Sequence, residues 1–507
     1  MGKTSTHCLV YANLIIEGRE YGFHVFMVQL RDENHRPLPG VEPGEVGPKY
    51  GDNGTETGFL RLFNVHIPRN WMLMKNQQVL EDGSYVKEDK NSKAQYGTML
   101  SIRAGLVMGA GYRLAQGVTI AVRYSCVRHQ GFTNTQGESN RANPEHPIIH
   151  YQNQQYRLFK QLSLAYAFVF TGKSISDKFQ KTMGDLATGD TSDLPEMHAT
   201  SAGLKALCTF EGASGLEECR KCCGGHGVLL ASGVSQMTLD YTTYCTAEGD
   251  RIILELQSAR YLIKMITEAR SGATVHGMAD YLNEAGKIKI GEVDPSVYLQ
   301  YRADTDEDFK DLKLLSSLFR NRALVFCVET ADRLNSLIKD GLSYDDAWNS
   351  CAVDLVKCSR VHCYYVILQN FVSQINAIED MKVKRILICL CQLYALINIM
   401  EDLGSFELTH KQKGLVRSVI NQLLKEVRVD CVPLVDAFEF PDNVLNSALG
   451  RYDGKVYESL YAAAKASPMN KIDPFPGYKE YLRPHLDLEF IADHAKMQGQ
   501  GSGKSKL

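Results

Sequence analysis

The sequence predicts an α+β chain that is mostly α, with an antiparallel β region followed by two helical-bundle domains. Three observations carry this. Residues 1 to about 70 alternate apolar and polar positions in short runs punctuated by Gly, Pro and Asn. From Tyr96 onward the apolar residues recur at three- and four-residue spacing almost to the end of the chain. Between two long helical stretches, Ser271 to Ser296 is rich in glycine and turn formers, which places a boundary there.

The strands are read in "HCLVYANLII", "YGFHVFMVQL" and "TGFLRLFNVHI", and the turns between them in "RPLPGVEPGEVGPKYGDNG". The run "YGTMLSIRAGLVMGAGYRLAQGVTIAVRYSCVRH" holds helical spacing for over thirty positions without proline, enough for one helix about 50 Å long at 1.5 Å per residue. Further helices are expected in "YRLFKQLSLAYAFVFTGKSI", "SAGLKALCTFEGASGLEECRKC", "RIILELQSARYLIKMITEA", "DLKLLSSLFRNRALVFCVETADRLNSLI" and "VKRILICLCQLYALINIMEDL". The domains expected are 1–90 (β), 91–275 (first helical), 276–490 (second helical) and 491–507 (a flexible tail).

Composition narrows the function. With 507 residues, 44% apolar, 23% charged and a formal net charge of −3, the chain reads as globular, with no general attraction to nucleic acid. Its 14 cysteines, two of them adjacent at Cys222 and Cys223, read as reduced thiols rather than a disulfide framework. The most apolar stretch, Ile386 to Met400, contains Gln392 and is too short to span a bilayer, so a buried helix is expected. The start, "MGKTSTHCLV", lacks the layout of a secretory signal and loosely fits a myristoylation pattern through Gly2 and Thr6. Ser505, Lys506 and Leu507 form a peroxisomal address behind the polar stretch "KMQGQGSG", which implies an import receptor as partner and the peroxisomal matrix as location.

Three stretches carry chemistry. In "CRKCCGGHGV" the residues Cys219, Cys222, Cys223 and His226 are of ligand type, but no second C-x2-C or H-x3-H half follows, and no βαβ pattern supports a redox pair. Gly224, Gly225 and Gly227 can supply positive φ and let a ligand approach the backbone; a plain helix C-cap is the simpler alternative. In "YCTAEGDRIILEL", Glu248 stands just before a helix that Asp250 would cap. It is either a complement to the helix dipole or a general base, which needs burial near substrate. In "RYSCVRHQGF", Arg123, Arg128, His129 and Gln130 are either a solvated basic helix end or a phosphate clamp.

Taken in order, "GKTSTH", "PLPGVEPGEVGPKYG", "IPRNWMLMK", "RYSCVRHQ", "YQNQQYRLF", "EECRKCCGGHG", "CTAEGD", "VDAFEFPD" and "LGRYDGKVYESL" resemble the acyl-CoA oxidases, the peroxisomal branch of the acyl-CoA dehydrogenase superfamily. The resemblance implies an FAD enzyme that desaturates fatty acyl-CoA to trans-2-enoyl-CoA and reduces O2 to hydrogen peroxide. It makes Glu248 the base for the α-proton. It places Arg128, Gln130, Cys223, Gly224, Gly225, His226, Gly227 and Gly249 against the cofactor, and it implies a homodimer that shares the flavin. No metal is implied. The matching begins at Gly2, a point that family members reach only after a helical domain and several strands, so the β domain is expected to be partial. Ala247, Arg251 and Val228 stand where the family carries other residues, and Arg251 is expected to add a fixed positive charge near the flavin. Two other functions are compatible with these residues: a non-catalytic homologue that dimerises with a full-length oxidase, and a zinc scaffold on Cys219, Cys222, Cys223 and His226.

Overall fold

The computed structural model describes residues 2–75, 77–87, 97–131, 145–288, 295–486 and 496. The peroxisomal tripeptide at 505–507 lies outside them. The fold is mostly helical with a few short antiparallel strands. Strands β1 (His7–Ile16) and β2 (Arg19–Gln29) form a hairpin, β3 (Val41–Glu45) pairs with β4 (Gly58–Leu62), and β5 (Gln77–Val79) pairs with β6 (Tyr85–Lys87). The alternation seen in the sequence places Val28, Leu30 and Val41 in a small core, against which Val10, Phe26, Leu60 and Leu62 pack.

The helices are α1 (Gly97–Val127), α2 (Gln152–Ala187), α3 (Leu194–Cys222), α4 (Val234–Thr242), α5 (Arg251–Arg270), α6 (Leu312–Lys339), α7 (Tyr344–Ser350), α8 (Ala352–Asn376), α9 (Met381–Glu401), α10 (His410–Asp436), α11 (Asp442–Leu445) and α12 (Val456–Ala466). Helix α1 is a single rod of 31 residues. It lies backbone to backbone against α2: a Cβ on Gly172 would sit 2.5 Å from the Met108 Cα. Side-chain caps start several helices, with Asp311 on α6, Asp380 on α9 and a Thr409–Gln412 capping box on α10.

One apolar cluster runs from Leu100 to Val456 and joins residues of α1, α2 and α3 to residues of α6, α8, α9 and α10. The predicted boundary segment is itself packed. Within the 3-10 stretch Gly277–Gly286, Tyr281 and Leu282 are buried among α5, α6 and α8, and the Tyr281 hydroxyl shares a 3.0 Å hydrogen bond with His362 Nδ1. Helix α9, 21 residues long and apolar, has the length of a membrane span, yet Leu390, Leu393 and Ile397 sit fully inside the core.

Candidate active site

The ends of α1 and α3 enclose a cavity of about 690 Å³ lined by Arg128, Gln130, Cys222, Cys223, Gly224, Gly225 and His226. Tyr124, Tyr151, Asn153, Gln154 and Lys221 also line it. The two sequence stretches that carry arginine and glycine thus converge on one site. Helix α3 stops at Cys222, and Gly224 then turns the chain at φ +58. Of the three glycines, Gly224 alone takes a positive φ. Gly225 leaves open space where a Cβ would stand, whereas a Cβ on Gly227 would fall 2.2 Å from the Arg220 carbonyl. Gly227 therefore allows the chain to fold back onto α3 and does not line the cavity.

The cavity wall is held together by side-chain hydrogen bonds between several elements. Gln154 Nε2 donates to the Cys222 carbonyl at 2.9 Å and to Ser125 Oγ at 3.1 Å, tying α2 to the ends of α3 and α1. His226 Nδ1 and the Tyr124 hydroxyl share a 2.9 Å hydrogen bond, and burial pushes that hydroxyl up to about 12. Arg128 donates to the Tyr457 hydroxyl at 3.2 Å. Tyr151 donates to the Gln130 carbonyl at 2.9 Å.

The thiols are packing groups. Cys219, Cys222 and Cys223 are buried, and burial raises all three, Cys222 to about 12. Thiols so raised stay protonated at neutral pH and are poor ligands and nucleophiles. Among the described residues no group of three or more His, Cys, Asp or Glu is arranged to hold a metal ion. Arg123 is neither a solvated cation nor part of the cavity wall. It is buried, donates to Asp436 at 3.0 and 2.7 Å and to the Gly450 carbonyl at 2.8 Å, and so ties α1 to the end of α10.

Glu248 lies elsewhere, just before α5, where Asp250 caps the helix by accepting from the Ile252 and Ile253 amides at 2.9 and 3.4 Å. Glu248 takes a left-handed conformation at φ +59, followed by Gly249 at φ +121. Such a conformation is uncommon for a residue with a side chain, and when it persists the surroundings hold it. Its side chain is exposed, so the burial expected of a base is not supplied by the described residues. Two buried cations stand beside it. Arg103 of α1 is 5% exposed, and its Nη1 has no hydrogen-bond partner among the described residues; burial lowers this guanidinium and Glu248 draws it back up. Lys205 of α3 is fully buried, and its ammonium donates to the Tyr244 and Gly249 carbonyls, each at 2.8 Å.

Arg251 is one of two arginines that share a single buried carboxylate beside this loop, so the cluster keeps one positive charge. Arg251 pairs with Glu255 at 3.0 Å and its guanidinium lies 3.5 Å from the centre of the Phe210 ring. Glu255, 1% exposed, is also gripped by Arg360 at 2.8 and 3.0 Å. Sequence reading missed Tyr124, Lys221, Tyr457, Arg103 and Lys205. The last two had one signal, a cation inside an apolar helical run ("SIRAGLV", "SAGLKALC").

Comparison with known proteins agrees with this architecture. The family described as "Acyl-CoA oxidase, C-alpha1 domain" matches residues 96–263, and that described as "Acyl-CoA oxidase" matches 311–487. The peroxisomal acyl-coenzyme A oxidase 1 of Rattus norvegicus is 40% identical over 489 residues, covering 96% of this chain and 72% of the relative. The structure of Arabidopsis thaliana acyl-CoA oxidase 1 superposes with a TM-score of 0.88 at 38% identity, over 96% of this chain and 72% of that one. A Caenorhabditis elegans acyl-CoA oxidase-2 bound with FAD, ascaroside-CoA and ATP gives a TM-score of 0.85 at 35% identity, over 98% and 71%. With its sequence motifs, its helical architecture and both family domains in agreement, this chain belongs to the acyl-CoA oxidase family.

Proposed function

We propose that the chain is an FAD-dependent acyl-CoA oxidase: a fatty acyl-CoA and O2 are converted to trans-2-enoyl-CoA and hydrogen peroxide. The observation that carries this reading is the Glu248 carboxylate, displayed at a left-handed kink before α5 on a loop whose Tyr244 and Gly249 carbonyls are held by the buried Lys205 ammonium. A carboxylate held in that way is placed to take a proton from Cα of a thioester substrate.

The cavity between α1 and α3 fits the diphosphate part of the cofactor. Arg128 and Lys221 supply cations, Gln130 and Asn153 supply amide groups, and the open faces of Gly224 and Gly225 let a ligand reach the backbone. When bound, FAD supplies the acceptor for the β-hydrogen and passes the electrons to O2. Arg128 and the glycine turn hold the cofactor, while Glu248 removes the α-proton and becomes a neutral carboxylic acid. Bound cofactor and thioester would also cover the exposed Glu248 carboxylate and exclude water from it.

The cavity lies at the end of α3, whereas Lys205, which marks the position of Glu248, sits 17 residues earlier on that helix, about 26 Å at 1.5 Å per residue. A homodimer in which a second copy shares the cofactor accounts for that separation. Relatives named as peroxisomal support the same location for this chain, where the reaction would open fatty acid β-oxidation.

The test is Glu248→Gln. The variant should keep its flavin and lose turnover by about 10²- to 10⁴-fold, the range for a lost general base. Turnover within a few fold of the parent would remove Glu248 from the mechanism.

A further inference from the structure

Lys205 stands in the middle of α3, fully buried between Leu204 and Ala206, which are also buried. An ammonium so placed is costly to desolvate and persists when its donors are well used. Here the two acceptors are the carbonyls of Tyr244 and Gly249, each at 2.8 Å. They lie on either side of Glu248 in the chain, so one ammonium clasps both ends of the segment that displays the carboxylate. Within the segment, Thr246 and Ala247 return their amides to the Thr243 carbonyl. Among the described residues, the Glu248 N–H and carbonyl take part in no backbone–backbone hydrogen bond. The left-handed turn at Glu248 and Gly249 thus depends on what holds its flanks. On one flank that is Asp250, capping α5; across the whole loop it is Lys205.

We propose that Lys205 is the positioning residue for the Glu248 base: its ammonium, clasping the Tyr244 and Gly249 carbonyls, fixes the loop conformation that aims the carboxylate at the substrate. The inference rests on Glu248 being the base. Lys205 itself touches neither substrate nor cofactor. It acts by restricting where the carboxylate can stand, and a displacement of about 1 Å at a reacting group costs on the order of 10²-fold in rate.

The experiment compares Lys205→Met, which keeps an unbranched apolar stem and removes the donors, with Lys205→Gln, which returns an amide donor, in the parent and in Glu248→Gln. Flavin-loaded proteins are assayed with palmitoyl-CoA, and amide hydrogen exchange is followed across residues 243–250. Lys205→Met should lower kcat about 10²-fold, leave KM within a few fold, and speed exchange in 243–250 but not in the rest of α3. Lys205→Gln should fall between Met and the parent. In the Glu248→Gln background the Met substitution should cost no further turnover, because the group it positions is already gone.

Unchanged kcat with unchanged exchange in Lys205→Met overturns the proposal. So does a full additional loss in the Glu248→Gln background, which would place the effect of Lys205 elsewhere. Failure of both Lys205 variants to fold makes the residue structural and also overturns it. A fully active Glu248→Gln would instead remove the base assignment, while the exchange measurement still decides whether Lys205 holds the loop.

Discussion

At the scale of single residues, the site depends on backbone geometry as much as on charge. Gly249 combines φ +121 with a Leu254 side chain that would lie 2.8 Å from any Cβ. Gly249→Ala should therefore destabilise the protein by about 2 kcal/mol in chemical unfolding, and it should reduce turnover further by turning Glu248 away. A second residue carries a pH signature. His362 is buried beside Tyr281, and burial lowers its pKa to about 4. The folded chain thus keeps this ring neutral while the unfolded chain protonates it near 6.5. Stability is complete above pH 6.5 and falls as the pH drops toward 4, by about 3 kcal/mol in all. The dependence of the unfolding midpoint on pH should flatten over that window in His362→Asn. Arg128, Gln130 and the glycines were legible because they sit in compact motifs. Lys205 and Arg103 were not, because their partners on the Glu248 loop are tens to well over a hundred residues away and meet them only when α1, α3 and α5 pack. The partners of Arg251 were hidden for the same reason: the Phe210 ring and Arg360, which shares its Glu255, are distant in sequence.

At the scale of elements, helices α1 and α3 do most of the positioning. Each brings one buried cation to Glu248 at one point along its length and one wall of the cavity at its C-terminal end. Gln154 of α2 ties their C-terminal ends together, and the Arg123–Asp436 pair fastens α1 to α10. Asp436→Ala would remove both close carboxylate contacts of the buried Arg123 guanidinium, leaving the Gly450 carbonyl at 2.8 Å and the longer Asp442 ion pair at 4.0 Å. The cost should be about 2 kcal/mol of stability, less than for a fully enclosed pair because Asp436 is partly open to solvent. Because α1 leads directly into Arg128, flavin affinity measured by titration should weaken in the same variant. The long helices were readable from spacing alone, since each carries an apolar stripe wide enough to show the period. The conformation of the glycine turn was not: the close approach of Gly227 to the Arg220 carbonyl and the left-handed turn at Gly224 belong to the folded chain and leave no mark in the spacing of the glycines.

At the scale of the whole molecule, the continuous core from Leu100 to Val456 couples the two helical regions that the sequence separates. The Gly-rich stretch from Ser271 to Ser296 reads as a boundary between helical domains, and within it Tyr281 and Leu282 are anchored in the interior. Composition reports turn-forming residues faithfully and is silent on whether the turns are packed. A ligand that binds only the folded chain stabilises all of it, so FAD at a hundredfold excess over Kd should raise the unfolding free energy by about 2.7 kcal/mol. A chain that holds a flavin and uses Glu248 to oxidise an acyl thioester would show it in the colour of the cofactor. The most direct measurement mixes the flavin-loaded protein with palmitoyl-CoA without oxygen and then admits air. The account predicts that the yellow colour bleaches, returns with air and yields hydrogen peroxide, and that Glu248→Gln holds flavin but does not bleach. A protein that binds no FAD, or a Glu248→Gln variant that bleaches as fast as the parent, would contradict it.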